Sequence, residues 1–122
     1  MKIGEAGAGR GYFTFRLAKA VSDDGIIYAN DISVRENATL SFYSREFKIR
    51  NIVPVFSSRV DPLFPITNLD IIVAYKSFHD FEKKDKWLIN VKKYLKYGGK
   101  LVIIESYSEH SQLTFCKLKE IV

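Results

Sequence analysis

One cysteine, one methionine, one tryptophan and three prolines occur among the 122 residues of this chain, and these scarcities narrow its class. With Cys116 alone no internal disulfide can form, which excludes a disulfide-stapled scaffold and makes a reducing compartment the expected home. No apolar stretch approaches the roughly 18 residues of a membrane span. Met1-Lys2-Ile3 leads straight into a glycine loop rather than a leader, so a cytoplasmic location is expected. Histidine is also rare, and His110 has no plausible ligand partner, so no metal site is expected. Much of the formal charge of +5 comes from Lys83, Lys84, Lys86, Lys92, Lys93, Lys96 and Lys100. Acidic residues interrupt that run and no arginine-aromatic interleaving accompanies it. It reads as a solvated helix face rather than a nucleic-acid surface. With 47% hydrophobic and 14% aromatic residues, the composition suits one globular domain.

What is present is concentrated near the start. Glu5-Ala6-Gly7-Ala8-Gly9-Arg10-Gly11 places a carboxylate and three alternate glycines between a short apolar run and a helix-forming stretch. Glycine there lets the backbone turn sharply and approach a ligand closely, while the helix that follows has free N-terminal amides; a tight strand-to-helix turn is the plainer alternative. The dinucleotide fingerprint is G-x-G-x-x-G, and Tyr12 stands where its third glycine belongs. The spacing therefore argues against a nicotinamide site.

Along the chain, strands and helices alternate. Ile3 and its neighbours predict a first strand, and Phe13, Leu17, Ala18 and Val21 a helix that Asp23-Asp24-Gly25 ends. Ile26 to Ala29 reads as a second strand ending at Asn30-Asp31. Ser33 and Glu36 form a capping-box pair opening a second helix, with Leu40, Tyr43 and Phe47 on one side and an end near Lys48 to Arg50. Ile52 to Phe56 is a third strand, placed at a sheet edge by Pro54, and Ser57 to Asn68 a loop. Leu69 to Tyr75 has the dense apolar pattern of a central parallel strand. A loop through Phe78-His79-Asp80 precedes a helix carrying Trp87, Leu88, Val91, Tyr94 and Leu95. Gly98-Gly99 stops it before a fifth strand over Lys100 to Glu105, and Ser111 to Val122 reads as a last helix. The pattern predicts one doubly wound α/β domain with a mostly parallel sheet and a ligand site beyond the carboxyl ends of its strands. Asp31, 20 residues past Gly11, suits the two hydroxyls of a ribose, or else the N-terminus of the second helix.

Ile3 to Thr14, Ile27 to Ser33, Asn51 to Pro62, Leu69 to Phe81 and Tyr94 to Ile103 occur in the order of the five motifs of class I S-adenosylmethionine-dependent methyltransferases. The chain resembles that family over nearly its whole length, especially the branch acting on small molecules and in quinone biosynthesis. The resemblance implies a Rossmann-like sheet of about five strands in the order 3-2-1-4-5 and S-adenosylmethionine as cofactor. It implies that Gly7, Gly9 and Gly11 face the methionine part, that Glu5 lies near its amino group, that Tyr12 covers it, and that Asp31 holds the ribose. Asp61 is assigned to the adenine amino group, with a role in a loop turn as the alternative. His79 is placed at the mouth of the site as a base for a hydroxyl or acidic carbon, or as a lining residue; Tyr75 and Asp80 are further lining residues. The fourth-strand loop, Ala74-Tyr75-Lys76-Ser77, lacks the Asp/Asn-Pro-Pro-Tyr pattern of amino-directed nucleic-acid methyltransferases, and Cys116 lies far from the expected cleft, so the expected acceptor is a small molecule.

By the same resemblance the chain is short at both ends. Few residues precede the loop, and the 16 after Ser106 allow one helix but not the family's sixth and seventh strands. Residues 1–122 are thus expected to form the cofactor half of a methyltransferase domain, with an apolar fifth-strand edge left for the rest of the domain or for a second copy. A non-catalytic module pairing through that edge is the alternative function. A nicotinamide-dependent oxidoreductase is the least favoured.

Overall fold

The apolar runs at residues 2–6, 26–31, 52–56, 69–75 and 95–106 become strands, and they assemble into one sheet. In the computed structural model, residues 1–106 are described in full and Thr114–Glu120 as backbone. Chain order is β1 (Lys2–Ala6), α1 (Tyr12–Val21), β2 (Ile26–Asp31), α2 (Val34–Glu46), β3 (Ile52–Phe56), β4 (Leu69–Tyr75), α3 (Lys84–Val91), β5 (Leu95–Ser106) and β6 (Thr114–Glu120). The first five strands are parallel, as the sequence pattern predicts, and lie in the order β3-β2-β1-β4-β5, as the resemblance implies. Among the described residues β3, with Pro54, is the edge strand on its side and pairs only with β2.

Strand alternation divides the core into two layers. Ile72, Leu101 and Leu69 pack with Trp87, Val91 and Tyr94 beside α3. Ile3, Ile27 and Val73 pack with Ala18 of α1 and Leu40 of α2 on the opposite face. Each fully buried aliphatic side chain of this kind contributes about 2 kcal/mol. The Ser33 hydroxyl accepts a hydrogen bond from the Glu36 amide and caps α2, as its S-x-x-E spacing predicts.

Tyr43 and Phe47, at helical spacing from the buried Leu40, are exposed and stack on one another, ring centroids 5.7 Å apart. Three expectations are corrected. The helix at Trp87 ends at Val91 and tightens into a 3-10 turn over Lys92–Tyr94, and β5 begins at Leu95, so that Gly98 and Gly99 lie within a strand whose pairing slips between Leu69 and Ile71. Over Thr114–Glu120 the expected last helix is a strand, antiparallel to β5 with Lys100 opposite Glu120 and Ser106 opposite Thr114. The backbone donors and acceptors along β5 find their partners in that strand, a demand that overrides weak local helical preference. Consequently the fifth-strand edge is covered by the chain itself, and the edge offered to a second copy or partner is not open. The rest of the expected helix, and the side chains of Leu113, Cys116 and Leu118, lie outside the described residues, as does His110. Among the described residues no helix is long and apolar enough to cross a membrane, and no group of side chains could hold a metal ion.

Candidate functional site

β1 and β4 are neighbours although the chain runs outward from them in opposite directions, which makes the gap beyond their carboxyl ends the switch point of the sheet. A cleft of about 320 Å³ opens there, bounded by Gly7, Asn30, Asp31, Ser58, Ser77 and Phe81. That volume is at the lower end of the range for small-molecule sites.

The glycine loop is tied down on both sides. Asn30 accepts from the Gly7 amide at both its backbone oxygen (3.1 Å) and its Oδ1 (3.0 Å), and its backbone oxygen also accepts from the Ala8 amide at 2.8 Å. Asn30 Nδ2 donates to the Pro62 carbonyl, joining the glycine loop to the loop after β3. Asp31 takes the Gly9 amide on Oδ2 and the Ser33 amide on Oδ1, each at 2.9 Å. Gly11 stands at the N-cap of α1 and donates to the Ala8 carbonyl. Gly7 has φ 78° and packs so close to the β4 loop that a Cβ would meet Ser77 Cβ at 2.6 Å. Gly9, at φ 58°, has open space instead, with Glu36 Oε2 nearest at 3.7 Å. One glycine is required by packing, the other by neither neighbour nor core.

Glu5 lies at the register of Ala29 and Val73, with 1% of its surface exposed. Burial pushes its carboxyl from 4.5 up to about 7; the Thr14 hydroxyl, donating to Oε1, works against the rise and the Asp31 charge adds to it.

Of the expected site residues, Gly7, Asp31 and Asp80 border the cleft. Glu5, Gly9, Gly11, Tyr12 and Tyr75 are not among its lining residues. Tyr75 stacks on Phe13 at 4.2 Å and on Tyr12 at 6.1 Å, with the Arg16 guanidinium over the Tyr12 ring. Asp61 is directed elsewhere: its carboxylate accepts from Lys93 Nζ (2.8 Å), Tyr94 Oη (2.6 Å) and the Leu63 amide (3.0 Å). Burial works against its ionisation, yet those hydrogen bonds hold it below the usual carboxylate range. The loop presents Ser57 and Ser58 to the cleft in its place.

His79 lies in a 3-10 turn over Phe78–Asp80 and borders a second, adjoining groove with Lys76 and Glu105. Glu105 holds it at two points, accepting from the His79 amide on Oε1 at 3.0 Å and meeting Nδ1 with Oε2 at 2.8 Å. Nε2 is left toward the exposed Asp80 carboxylate, 3.4 Å away. Sequence reasoning missed Glu105, as it missed Asn30 and the pairing of Ser77 Oγ with the Ala6 carbonyl. The rule that singled out Asp31, a polar residue ending an apolar strand, applies equally to Glu105 after Leu101 to Ile104.

A methyltransferase-domain family matches residues 5–101. The highly reducing polyketide synthase sthA of Phaeosphaeria nodorum is 33% identical over a 111-residue alignment that covers 86% of this chain and 4% of that protein. An S-adenosylmethionine-dependent methyltransferase from Aquifex aeolicus superposes with a TM-score of 0.81 at 24% identity, over 86% of this chain and 56% of that one. A protein from Methanococcus maripaludis, solved as a candidate S-adenosylmethionine-dependent methyltransferase, gives 0.76 at 25% identity, over 87% and 48%. The chain thus spans about half of each solved relative and a small part of the synthase. The family match runs from the buried glutamate of β1 to the buried leucine of β5, through the loop that encloses the cleft, and the chain accordingly belongs to this family of methyltransferases, whose cofactor is S-adenosylmethionine.

Proposed function

We propose that this chain binds S-adenosylmethionine in the switch-point cleft and serves methyl transfer to a small-molecule acceptor, with His79 as the base that takes the acceptor's proton. The observation that carries the reading is the two-point hold of Glu105 on His79. A carboxylate at Nδ1 fixes the imidazole ring and leaves Nε2 as the nitrogen able to accept a proton. Glu105 is a positioning residue; displacement of the exposed Asp80 carboxylate would open Nε2 to an acceptor.

The cleft suits the cofactor. In the glycine loop beside it Gly9 has room where a side chain would stand, and within it Asp31 sets a carboxylate where ribose hydroxyls would be bound, and Ile32, Phe81 and Trp87 give an apolar wall for a flat base. Buried Glu5 would be returned toward its charged form by a nearby ammonium. When bound, S-adenosylmethionine supplies a methyl group already activated on a sulfonium. This chain's residues then have to position the acceptor and take its proton, and positioning alone is worth on the order of 7 kcal/mol. Asp61 belongs in this reading to the fold of the loop rather than to the adenine. The reducing compartment suggested by a lone cysteine is the cytoplasm.

The test uses methyl-labelled S-adenosylmethionine and a metabolite extract. Label should enter the small-molecule fraction, and His79→Ala and Glu105→Gln should lower the rate about a hundredfold or more while S-adenosylhomocysteine binds as before. Label entering only macromolecules, or a His79→Ala rate equal to that of the parent chain, refutes the assignment.

A further inference from the structure

Among the described residues, three cations border the cleft and the adjoining groove, apart from His79. Arg59 is committed to Glu82. Lys84 donates to the carbonyls of His79 and Phe81. Lys76 alone borders both cavities, and among the described residues no carboxylate or carbonyl takes its ammonium; its contact is with the face of Tyr75, 5.3 Å away. Its backbone is unusual as well. Lys76 adopts φ 53°, a left-handed conformation that costs a residue with a Cβ about 1 to 2 kcal/mol. The Lys76 amide donates to the Ile104 carbonyl at 2.7 Å, which anchors the residue beside Glu105. A strained, exposed cation with no carboxylate partner among the described residues, held between the cofactor cleft and the His79–Glu105 pair, calls for a function.

We infer that Lys76 faces the oxygen of the methyl acceptor and holds the negative charge that develops there as His79 removes a proton. The inference rests on the methyltransferase reading and narrows its acceptor. An amine acceptor would gain positive charge as it is methylated, and a cation beside it would oppose the reaction. Where a hydroxyl or a carbonyl-activated carbon is deprotonated, the proton goes to Nε2 of His79; the electron pair of the broken O–H bond stays on the oxygen, and that of a broken C–H bond is delocalised onto the carbonyl oxygen. The acceptor class is therefore one that carries its negative charge on oxygen, a hydroxyl or a carbon acid, and Lys76 acts as a preplaced electrostatic partner for that oxyanion.

The probe is dimedone, a cyclic diketone that is an enolate at neutral pH, set against its neutral methyl enol ether. Each is titrated into the full chain saturated with S-adenosylhomocysteine. The enolate should bind about tenfold or more tightly than the ether, the range of a charge-assisted hydrogen bond. Lys76→Gln should erase that preference and Lys76→Arg keep it, with S-adenosylhomocysteine affinity equal in all three proteins. No preference in the parent chain, or a preference surviving in Lys76→Gln, overturns the assignment. So does weaker S-adenosylhomocysteine binding by Lys76→Gln, which would put the lysine on the cofactor carboxylate. A parent chain that fails to bind S-adenosylhomocysteine defeats the methyltransferase reading itself, whereas normal binding without enolate preference defeats the role of Lys76 alone.

Discussion

Glu5→Gln should make the protein increasingly more stable as pH rises from 4.5 and leave it unchanged below that. The Glu5 carboxyl titrates at 4.5 when free and at about 7 in the fold, because burial disfavours its charge. Folded protein therefore binds the proton more tightly than unfolded protein does, and between those two values stability falls as pH rises. At 1.36 kcal/mol per pH unit the full penalty is about 3 kcal/mol, absent below pH 4.5 and complete by about pH 8. Glutamine is neutral throughout and keeps an oxygen for the Thr14 hydroxyl. Urea unfolding of both proteins at intervals from pH 4.5 to 8 measures the difference directly. The curves should diverge steadily, with the variant ahead by about 3 kcal/mol at the alkaline end. Parallel profiles would refute the account of a carboxyl held uncharged by burial. A second readout bears on function: S-adenosylhomocysteine should bind the parent chain more tightly as pH rises through 7, since the ionised carboxylate is the form that pairs with an ammonium, and the variant should lack that slope.

The glycines should separate packing from ligand contact. Gly7→Ala forces a Cβ against Ser77 and should cost about 2 to 3 kcal/mol in a thermal or urea melt. Gly9→Ala meets open space and should cost only about 1 kcal/mol, yet lower S-adenosylhomocysteine affinity about tenfold or more; intact affinity would remove Gly9 from the binding surface. Asp61→Ala should lower stability by about 1 to 3 kcal/mol through the loss of the Lys93 and Tyr94 bonds, and calorimetry should find cofactor affinity unmoved. A large affinity loss there would restore Asp61 to the adenine side.

The sheet was legible because each of its signals is local. Apolar runs, the glycine turn, the Ser33 cap and the edge-seeking Pro54 report on neighbours in sequence, and β1 to β4 fall where those signals put them. What escaped depends on distant partners. Nothing in Thr114 to Glu120 by itself distinguishes strand from helix; the unpaired side of β5 decides it. Asp61 is a plausible ligand contact by position and is claimed instead by two side chains more than thirty residues away. His79 was legible as a candidate base, but Glu105, 26 residues on, becomes its partner only when β5 is laid beside β4.

The hydrogen bonding of the glycine loop bears on competition among ligands in a cell rich in phosphorylated nucleotides. Anion-binding loops work by leaving consecutive amides unpaired and pointed at phosphate oxygens. Here the amides of Gly7, Ala8, Gly9 and Gly11 already donate to Asn30, Asp31 and Ala8. A pyrophosphate entering the loop would find those four donors engaged and the Asp31 and Glu5 carboxyls nearby. The loop has the outline of a nucleotide cradle with its anion grip closed, so ATP and dinucleotides should compete poorly for it, while a ligand that brings a positive sulfonium and no phosphate meets no such obstacle.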